Sequence, residues 1–243
     1  MGVAALHMHS THSDGRCSVV ETLDMLEAAG GIDVVSFTDH DEIGAWEDAQ
    51  AWKAEHPRSS IAPLWGCEVT TGGGKHILVY IFQSPYPERR FPAMQPLRAT
   101  LAQIAVARGV CIIAHPDQWV VGLGLRRLER ELVSIPILGV ESHSPYVRSS
   151  ERVAAFALAH HLAVIGGSDA HFPQHLLKWT TEFPGHTPTD LLRALEARAT
   201  VPRQGPPAGK VPVSELAMQQ VQALLVHPTR KVARLVGMGR AAR

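Results

Sequence analysis

Ile32-Asp33-Val34-Val35-Ser36-Phe37-Thr38-Asp39-His40-Asp41 is the stretch on which the reading of the fold turns. Gly30-Gly31 precedes it, and its first six residues form a short apolar run rich in β-branched side chains. That is the composition of a buried strand. The run stops abruptly at two carboxylic acids and a histidine. Parallel α/β folds build their active-site edge from strands that end in this way.

The same punctuation recurs in both directions. Upstream, Val3 to Leu6 ends in His7-Met8-His9. Downstream, Ile61 to Trp65 ends in Gly66-Cys67-Glu68, Val110 to Ala114 in His115-Pro116, and Leu162 to Ile165 in Gly166-Gly167-Ser168-Asp169-Ala170-His171. His76 to Phe82 and Leu138 to Glu141 are further apolar runs, and His76 alone begins a strand rather than ending one. Its placement at the rim therefore depends on the Gly72–Gly74 turn.

Helical stretches lie between the runs. Ser18-x-x-Glu21 is a capping box opening a helix to Ala29. Others are read at Ala45 to Glu55, Leu97 to Arg108 closed by Gly109, Leu125 to Leu132, Ser149 to His161 and Thr189 to Arg198. Alternation of this kind predicts an α/β fold of parallel strands with crossover helices, and about seven strands make a barrel or a strongly curved sheet. Val201 to Val211 reads as a linker, and residues 213–238 as one or two terminal helices. The domain reading is a barrel over 1–200, with 201–243 as a linker and helical tail packed on it.

The chain has 243 residues, of which 45% are apolar and 19% charged, enough to bury a core. Lys plus Arg equals Asp plus Glu at 23 each, so no global charge draws the chain to nucleic acid or membrane. Cys17, Cys67 and Cys111 are scattered and odd in number, which fits a reducing cytosol better than a disulfide framework. The N-terminus lacks a signal-peptide pattern, and no run is long enough for a membrane span. A cytoplasmic protein is expected; nothing in the sequence sets its oligomeric state.

Fourteen histidines are many for this length, and their placement gives them meaning. Residues i and i+2 of a strand share a face, so His7 with His9, and Asp169 with His171, can each present two ligands to one ion. Imidazole mixed with carboxylate suits Zn, Mn or Fe. Taken singly each motif has an ordinary reading: a turn at His115-Pro116, a helix cap at Asp169, a polar loop at Asp39-His40. Their joint recurrence at successive strand ends is what carries the argument. His12 is read as lying outside the ligand set, His143 as a residue that can face the pocket, and His56, His160, His161, His175, His186 and His227 as surface or helix residues.

On these motifs the sequence resembles the PHP family, the polymerase and histidinol phosphatase domains. The matching residues are His7-Met8-His9-Ser10 with Ser13-Asp14-Gly15, Thr38-Asp39-His40-Asp41, Gly66-Cys67-Glu68 with His76, Ala114-His115-Pro116, and Gly167-Ser168-Asp169-Ala170-His171. The resemblance implies a distorted (β/α)7 TIM-like barrel with two or three divalent ions at the C-terminal rim of its strands. It also implies the ligand sets. His7, His9, Glu68 and Asp169 hold one ion, Glu68 bridges to a second with His76 and His115, and Asp14, His40 and His171 hold a third. Nucleotide-cleaving members carry a helical insertion between the positions of His76 and His115. Here 38 residues, 77–114, intervene, too few for a large cap.

The activity this implies is hydrolysis of a small phosphomonoester or nucleotide-type substrate. A hydroxide bridging two ions attacks phosphorus, because metal ions lower the pKa of water from 15.7 toward about 7. No side chain is assigned as a general acid or base. Asp39 and Asp41 are expected to orient ligand imidazoles. Arg148, Arg16, Lys178 and His143 are candidate substrate contacts, with Lys75 as a further cation near the motifs. Two other readings stand beside this one: a phosphodiesterase acting exonucleolytically on short oligonucleotides, and a metal-binding regulatory module without catalysis. Amide hydrolysis is disfavoured because no lysine sits at a strand end, where a carbamylated metal bridge would need one.

Overall fold

The structure is a computed structural model and describes residues 1–132, 137–207 and 209–221. Its order is β1 (Gly2–Ala5), α1 (Val19–Ala29), β2 (Val34–Val35), α2 (Ala45–Glu55), β3 (Ala62–Pro63), β4 (Trp65–Thr71) and β5 (Lys75–Ile81). Then come α3 (Leu97–Val106), β6 (Val110–Ile113), α4 (Leu125–Leu132), β7 (Gly139–His143), α5 (Ser150–Ala159), β8 (Ala163–Gly166), β9 (Trp179–Phe183), α6 (Pro188–Glu196), β10 (Val201–Gln204) and α7 (Val213–Val221).

Local chemistry explains the well-formed helices. Ser18 accepts from the Glu21 N–H at 3.2 Å while the Glu21 carboxylate accepts from the Ser18 N–H at 2.8 Å, so the capping box forms as read. Val19, Thr22, Leu23 and Leu26 then make one buried stripe. Gly30 ends the helix at φ 71°, in the left-handed region that favours glycine. Helix α6 starts one residue earlier than read, capped reciprocally by Thr187 and Asp190.

The strands form two five-stranded sheets, ordered β10-β9-β1-β2-β3 and β4-β5-β6-β7-β8. This mixed α/β arrangement departs from the wholly parallel one expected. Strands β1, β2 and β3 are parallel, as are β6, β7 and β8, but β5 is antiparallel to both neighbours and β9 to both of its own. The tight turn at Gly72–Gly74, with Gly73 at φ 81° and Gly74 at φ 68°, reverses the chain between β4 and β5. The segment after β5 climbs back to that turn, where Met94 N–H meets Thr70 O and Gly72 N–H meets Gln95 O, both at 2.6 Å. Helix α3 then descends, and β6 can run toward the rim again. Strand β9 was not read from the sequence, although Trp-Thr-Thr-Glu-Phe has strand composition. The stretch 201–211, read as a linker, opens as β10 on the edge of β9. Of the terminal helices read over 213–238, α7 is seen, and residues 222–238 lie outside the described residues.

Among the described residues the ladders do not run round as one closed sheet. The sheets meet at single parallel bridges, Met8 with Ala170 and His40 with Glu68. On a third contact, the Thr181 hydroxyl of β9 lies 3.0 Å from both the Gly166 N–H and C=O of β8. Ala4, Leu6, Val34, Leu64, Leu78, Tyr80, Ile112, Ala114, Ala163, Ile165 and Phe183 make one apolar cluster drawing on both sheets. Two further clusters pack α1 and α2 against the first sheet and α3 to α5 against the second. No helix among the described residues is long and apolar enough to cross a membrane. All three cysteines are free.

Candidate metal centre

The strand ends converge as the recurrence predicted. His7 and His9 follow β1, His40 follows β2, His115 follows β6, and Asp169 and His171 follow β8. Glu68 lies inside β4. His76 is near the start of β5, and because β5 runs away from the rim, its beginning is what reaches the site. Asp14 arrives on a tight loop. Gly15 N–H bonds Ser10 O at 3.0 Å and Arg16 N–H bonds His171 O at 2.9 Å. A Cβ on Gly15 would stand 2.2 Å from His9 O, so this loop requires glycine.

Glu68 is the hub. Its Oε2 lies 3.3 Å from His7 Nε2, 3.2 Å from His9 Nε2 and 3.2 Å from His40 Nδ1. Its Oε1 lies 3.0 Å from His76 Nδ1 and 3.3 Å from His115 Nε2. Asp169 Oδ1 adds contacts at 3.1 Å to His9 Nε2 and 3.4 Å to His7 Nε2. Asp14 Oδ1 lies 3.2 Å from His171 Nε2 and 4.0 Å from His40 Nε2. Among the described residues, three groups have ligand atoms within 4.8 Å of one another: His7-His9-Glu68-Asp169, His9-Asp14-His40-His171, and His40-Glu68-His76. The first is the set implied for one ion. The second contains the set implied for another, with His9 added. The last pairs Glu68 and His76 with His40, while His115 reaches the same Glu68 oxygen from the opposite strand.

The donor set fits divalent cations. A carboxylate offers about four lone-pair sites, and five imidazoles crowd Glu68. His76 Nδ1 is buried and lies 3.0 Å from Glu68 Oε1 without hydrogen-bond alignment. A lone pair sharing a cation with the carboxylate satisfies that geometry better than a proton does. Electrostatics agree. Burial opposes protonation of His9, yet Asp169 and Glu68 outweigh it and push its pKa up to about 10. His7 and His115 are raised against the same burial by their carboxylate neighbours. His40, dominated by burial, is pushed well below the ordinary value. Burial would raise Glu68, Asp14 and Asp169, but the surrounding histidines hold all three below the carboxylate range. The pocket thus keeps its carboxylates ionised and loads protons onto imidazoles, which is the charge balance a cation would replace.

Backbone strain collects here. Asp41 at φ 53°, His115 at φ 26° and Asp169 at φ 44° all sit at positive φ without being glycine. The ligand pair Asp169 and His171 therefore does not share a face by strand alternation, as the spacing argument assumed; the turn at Asp169 sets it.

Two supporting roles differ from the reading. Asp39 does not orient an imidazole. It accepts from Ser10 N–H at 2.8 Å, from the Ser10 hydroxyl at 2.7 Å and from the Ser13 hydroxyl, and so holds the loop that carries Asp14. Asp41 accepts from Thr70 N–H at 2.6 Å and Thr70 Oγ1 at 2.8 Å, bracing the β4–β5 hairpin. A carboxylate outside the ligand groups that touches a ligand ring is Glu141, fully buried, whose Oε1 lies 2.9 Å from His7 Nδ1. Sequence reasoning passed it over, although an acid ending the sixth apolar run was the same signal used elsewhere.

The candidate substrate residues are in none of the three ligand groups. The exposed Arg148 guanidinium lies 4.0 Å over the Trp119 ring, and its N–H is held by Asp117. His143 packs on Trp179, with ring centroids 4.9 Å apart, beside the Ser142 hydroxyl. Arg16 is tied to His171 by its backbone, and Lys178 N–H to His175 O. Lys75 Nζ donates to Val120 O, fastening the loop after His115 to the hairpin. His12, read outside the ligand set, pairs with Asp48 at 2.7 Å. The Tyr146 phenol is pushed up to about 12 by burial, with the Asp169 and Asp14 carboxylates adding to it, although the residue is nearly half exposed.

A PHP-associated family profile matches residues 148–200. No curated protein matches the chain. Among solved structures, it is similar to a two-domain protein from Bacteroides vulgatus named for a predicted PHP-like metal-dependent phosphoesterase. The TM-score is 0.65 at 17% identity, over 83% of this chain and 64% of that one. It is also similar to an amidohydrolase from Chromobacterium violaceum with bound sulfate and no metal (TM-score 0.61, 22% identity, 83% and 97% covered). A third is the lesion-specific endonuclease Q of Pyrococcus furiosus (TM-score 0.57, 15% identity, 81% and 56% covered). The chain spans just under two thirds of the Bacteroides protein and about half of the Pyrococcus one, and at these identities the likeness is one of fold. The profile match covers 148–200, and the strand-end motifs, folded into a single histidine–carboxylate pocket, are what the chain shares with PHP-like proteins beyond the fold.

Proposed function

We propose that the protein is a metal-dependent phosphoesterase acting on a small phosphorylated substrate, a phosphomonoester or nucleotide. The observation that carries this is the convergence of His7, His9, Asp14, His40, Glu68, His76, His115, Asp169 and His171 on one rim, with Glu68 shared between groups. These residues would hold two or three ions of Mn, Zn or Fe, which supply positive charge to a phosphoryl group and activate water. The protein's own part is to keep the carboxylates ionised, fix the rings and offer donors at the rim. Arg148, Arg16, Lys178 and His143 are the candidate contacts to the rest of the substrate. The two sheets, joined at Met8–Ala170 and His40–Glu68, support a distorted barrel over 1–200, and β10, just beyond it, adds an edge strand to the first sheet. A cytoplasmic location remains the expectation from the cysteines.

The test is metal content of purified protein, followed by turnover of a panel of monoesters, nucleoside bisphosphates and short oligonucleotides with added Mn, Zn or Fe. Two or three ions per chain, with turnover abolished by His9→Ala or Asp169→Ala, is the expected result. Fewer than one ion after reconstitution, or bound metal with no ester turned over, would favour the regulatory module.

A second reading, phosphodiester cleavage in short oligonucleotides, is favoured by one observation. The charged residues of 222–243 are Arg230, Lys231, Arg234, Arg240 and Arg243, all cationic. After β10 the Gly205 N–H bonds the C=O of Lys178, itself a candidate substrate contact, at 3.0 Å. Oligonucleotide turnover whose KM climbs steeply with salt would select this reading.

A further inference from the structure

Glu141 lies in the middle of β7, at a β-bulge between Glu141 and His143. Both of its oxygens are used. Oε1 lies 2.9 Å from His7 Nδ1, and Oε2 accepts from the His115 backbone N–H at 2.8 Å. The residue is fully buried, so water cannot take over either bond. Room for it is made by Gly167, where a Cβ would stand 2.0 Å from Glu141 Oε1 and 2.7 Å from His7 Cβ. Three separate strand ends thus meet at one carboxylate that is in none of the ligand groups.

We propose that Glu141 is a positioning residue that fixes His7 in the tautomer whose Nε2 lone pair faces the metal centre. The inference rests on the metal-site reading above. A carboxylate only accepts, so it draws the His7 ring proton to Nδ1. Nε2, 3.3 Å from Glu68 and 3.4 Å from Asp169, is then left to ligate. The near-isosteric Glu141→Gln variant makes this decisive. The His115 backbone N–H can only donate, so the amide oxygen must face it. The NH2 then faces His7 Nδ1 and can only donate, which forces the ring proton onto Nε2. One O-to-NH2 change therefore removes a ligand while the packing is kept.

The experiment is a double-mutant cycle on full-length protein, reading zinc affinity by chelator competition and zinc content per chain, for wild type, E141Q, H7A and H7A/E141Q. Histidine 15N spectra of the zinc-loaded proteins report the His7 tautomer. E141Q is expected to weaken zinc binding by about 10–100-fold, the usual loss on removing a partner behind a ligand, and to move the His7 proton to Nε2. It should add less than about twofold in the H7A background, because the two changes act on one ligand. E141D, which keeps both acceptors but shortens their reach, should also lose affinity and be silent beside H7A, and it serves if E141Q does not fold. E141Q binding zinc like wild type with His7 unchanged, or losses that multiply in the double variant, overturns the inference. Wild type that binds no zinc overturns the metal-site reading itself, a distinct result.

Discussion

Replacing Asp39 with alanine should destabilise the metal-free protein by about 2–5 kcal/mol. The figure follows from what Asp39 accepts. Ser10 and Asp39 are both buried, and the Ser10 N–H at 2.8 Å would lose its partner outright. A buried N–H left unsatisfied costs about 1–3 kcal/mol. The Ser10 and Ser13 hydroxyls can rotate to other acceptors, so each adds only about 0.5–1 kcal/mol. Asp39→Asn is the discriminating control. Its carbonyl keeps the Ser10 N–H, and its NH2 can donate to the Ser10 hydroxyl, so it should cost about 1 kcal/mol or less. Urea unfolding with metal stripped by chelator reads both variants without the stabilisation that ligand binding adds. Because the same loop carries Asp14, D39A should also bind zinc more weakly than D39N. D39A within about 0.5 kcal/mol of wild type, or D39N as costly as D39A, would refute the account of Asp39 as the loop's anchor.

Metal loading should strengthen with pH. His9 holds a proton below about 10 in the metal-free pocket, and a ligand must give that proton up, so affinity rises as pH climbs toward that value and zinc addition to weakly buffered protein should acidify it; loading that is flat between pH 6 and 9 would contradict this. Tyr80→Phe removes the hydroxyl that donates to Leu6 O at 2.7 Å inside the shared apolar cluster, and should cost about 1–2 kcal/mol in urea unfolding with zinc content unchanged. Thr187→Ala removes the cap of α6 and should cost about 1 kcal/mol, again without effect on metal content.

The ligands were legible because each is announced locally: an apolar run that ends in His, Asp or Glu needs no knowledge of its neighbours. The capping box at Ser18 is local in the same sense; the one at Thr187 went unread, and the helix read from Thr189 starts one residue earlier, at Pro188. Strand β9 escaped because five residues between a short helical turn and a loop carry little periodicity, and it becomes a strand by pairing with β1, almost the whole chain away. The antiparallel course of β5 followed from a turn that was recognised, yet strand direction in the sheet depends on where the chain returns, and that is fixed by the contacts of Met94 and Gln95 with the hairpin. Which residue types gather at strand ends, and that they suit divalent metal, can be read along the chain. Which carboxylate each ring meets is settled by packing. Glu141 reaches His7 across 134 positions and His115 across 26, and Asp39 turned out to hold a loop where an imidazole had been expected. A buried acid is committed by whichever donor the packing brings within 3 Å of it, and no local pattern encodes that distance.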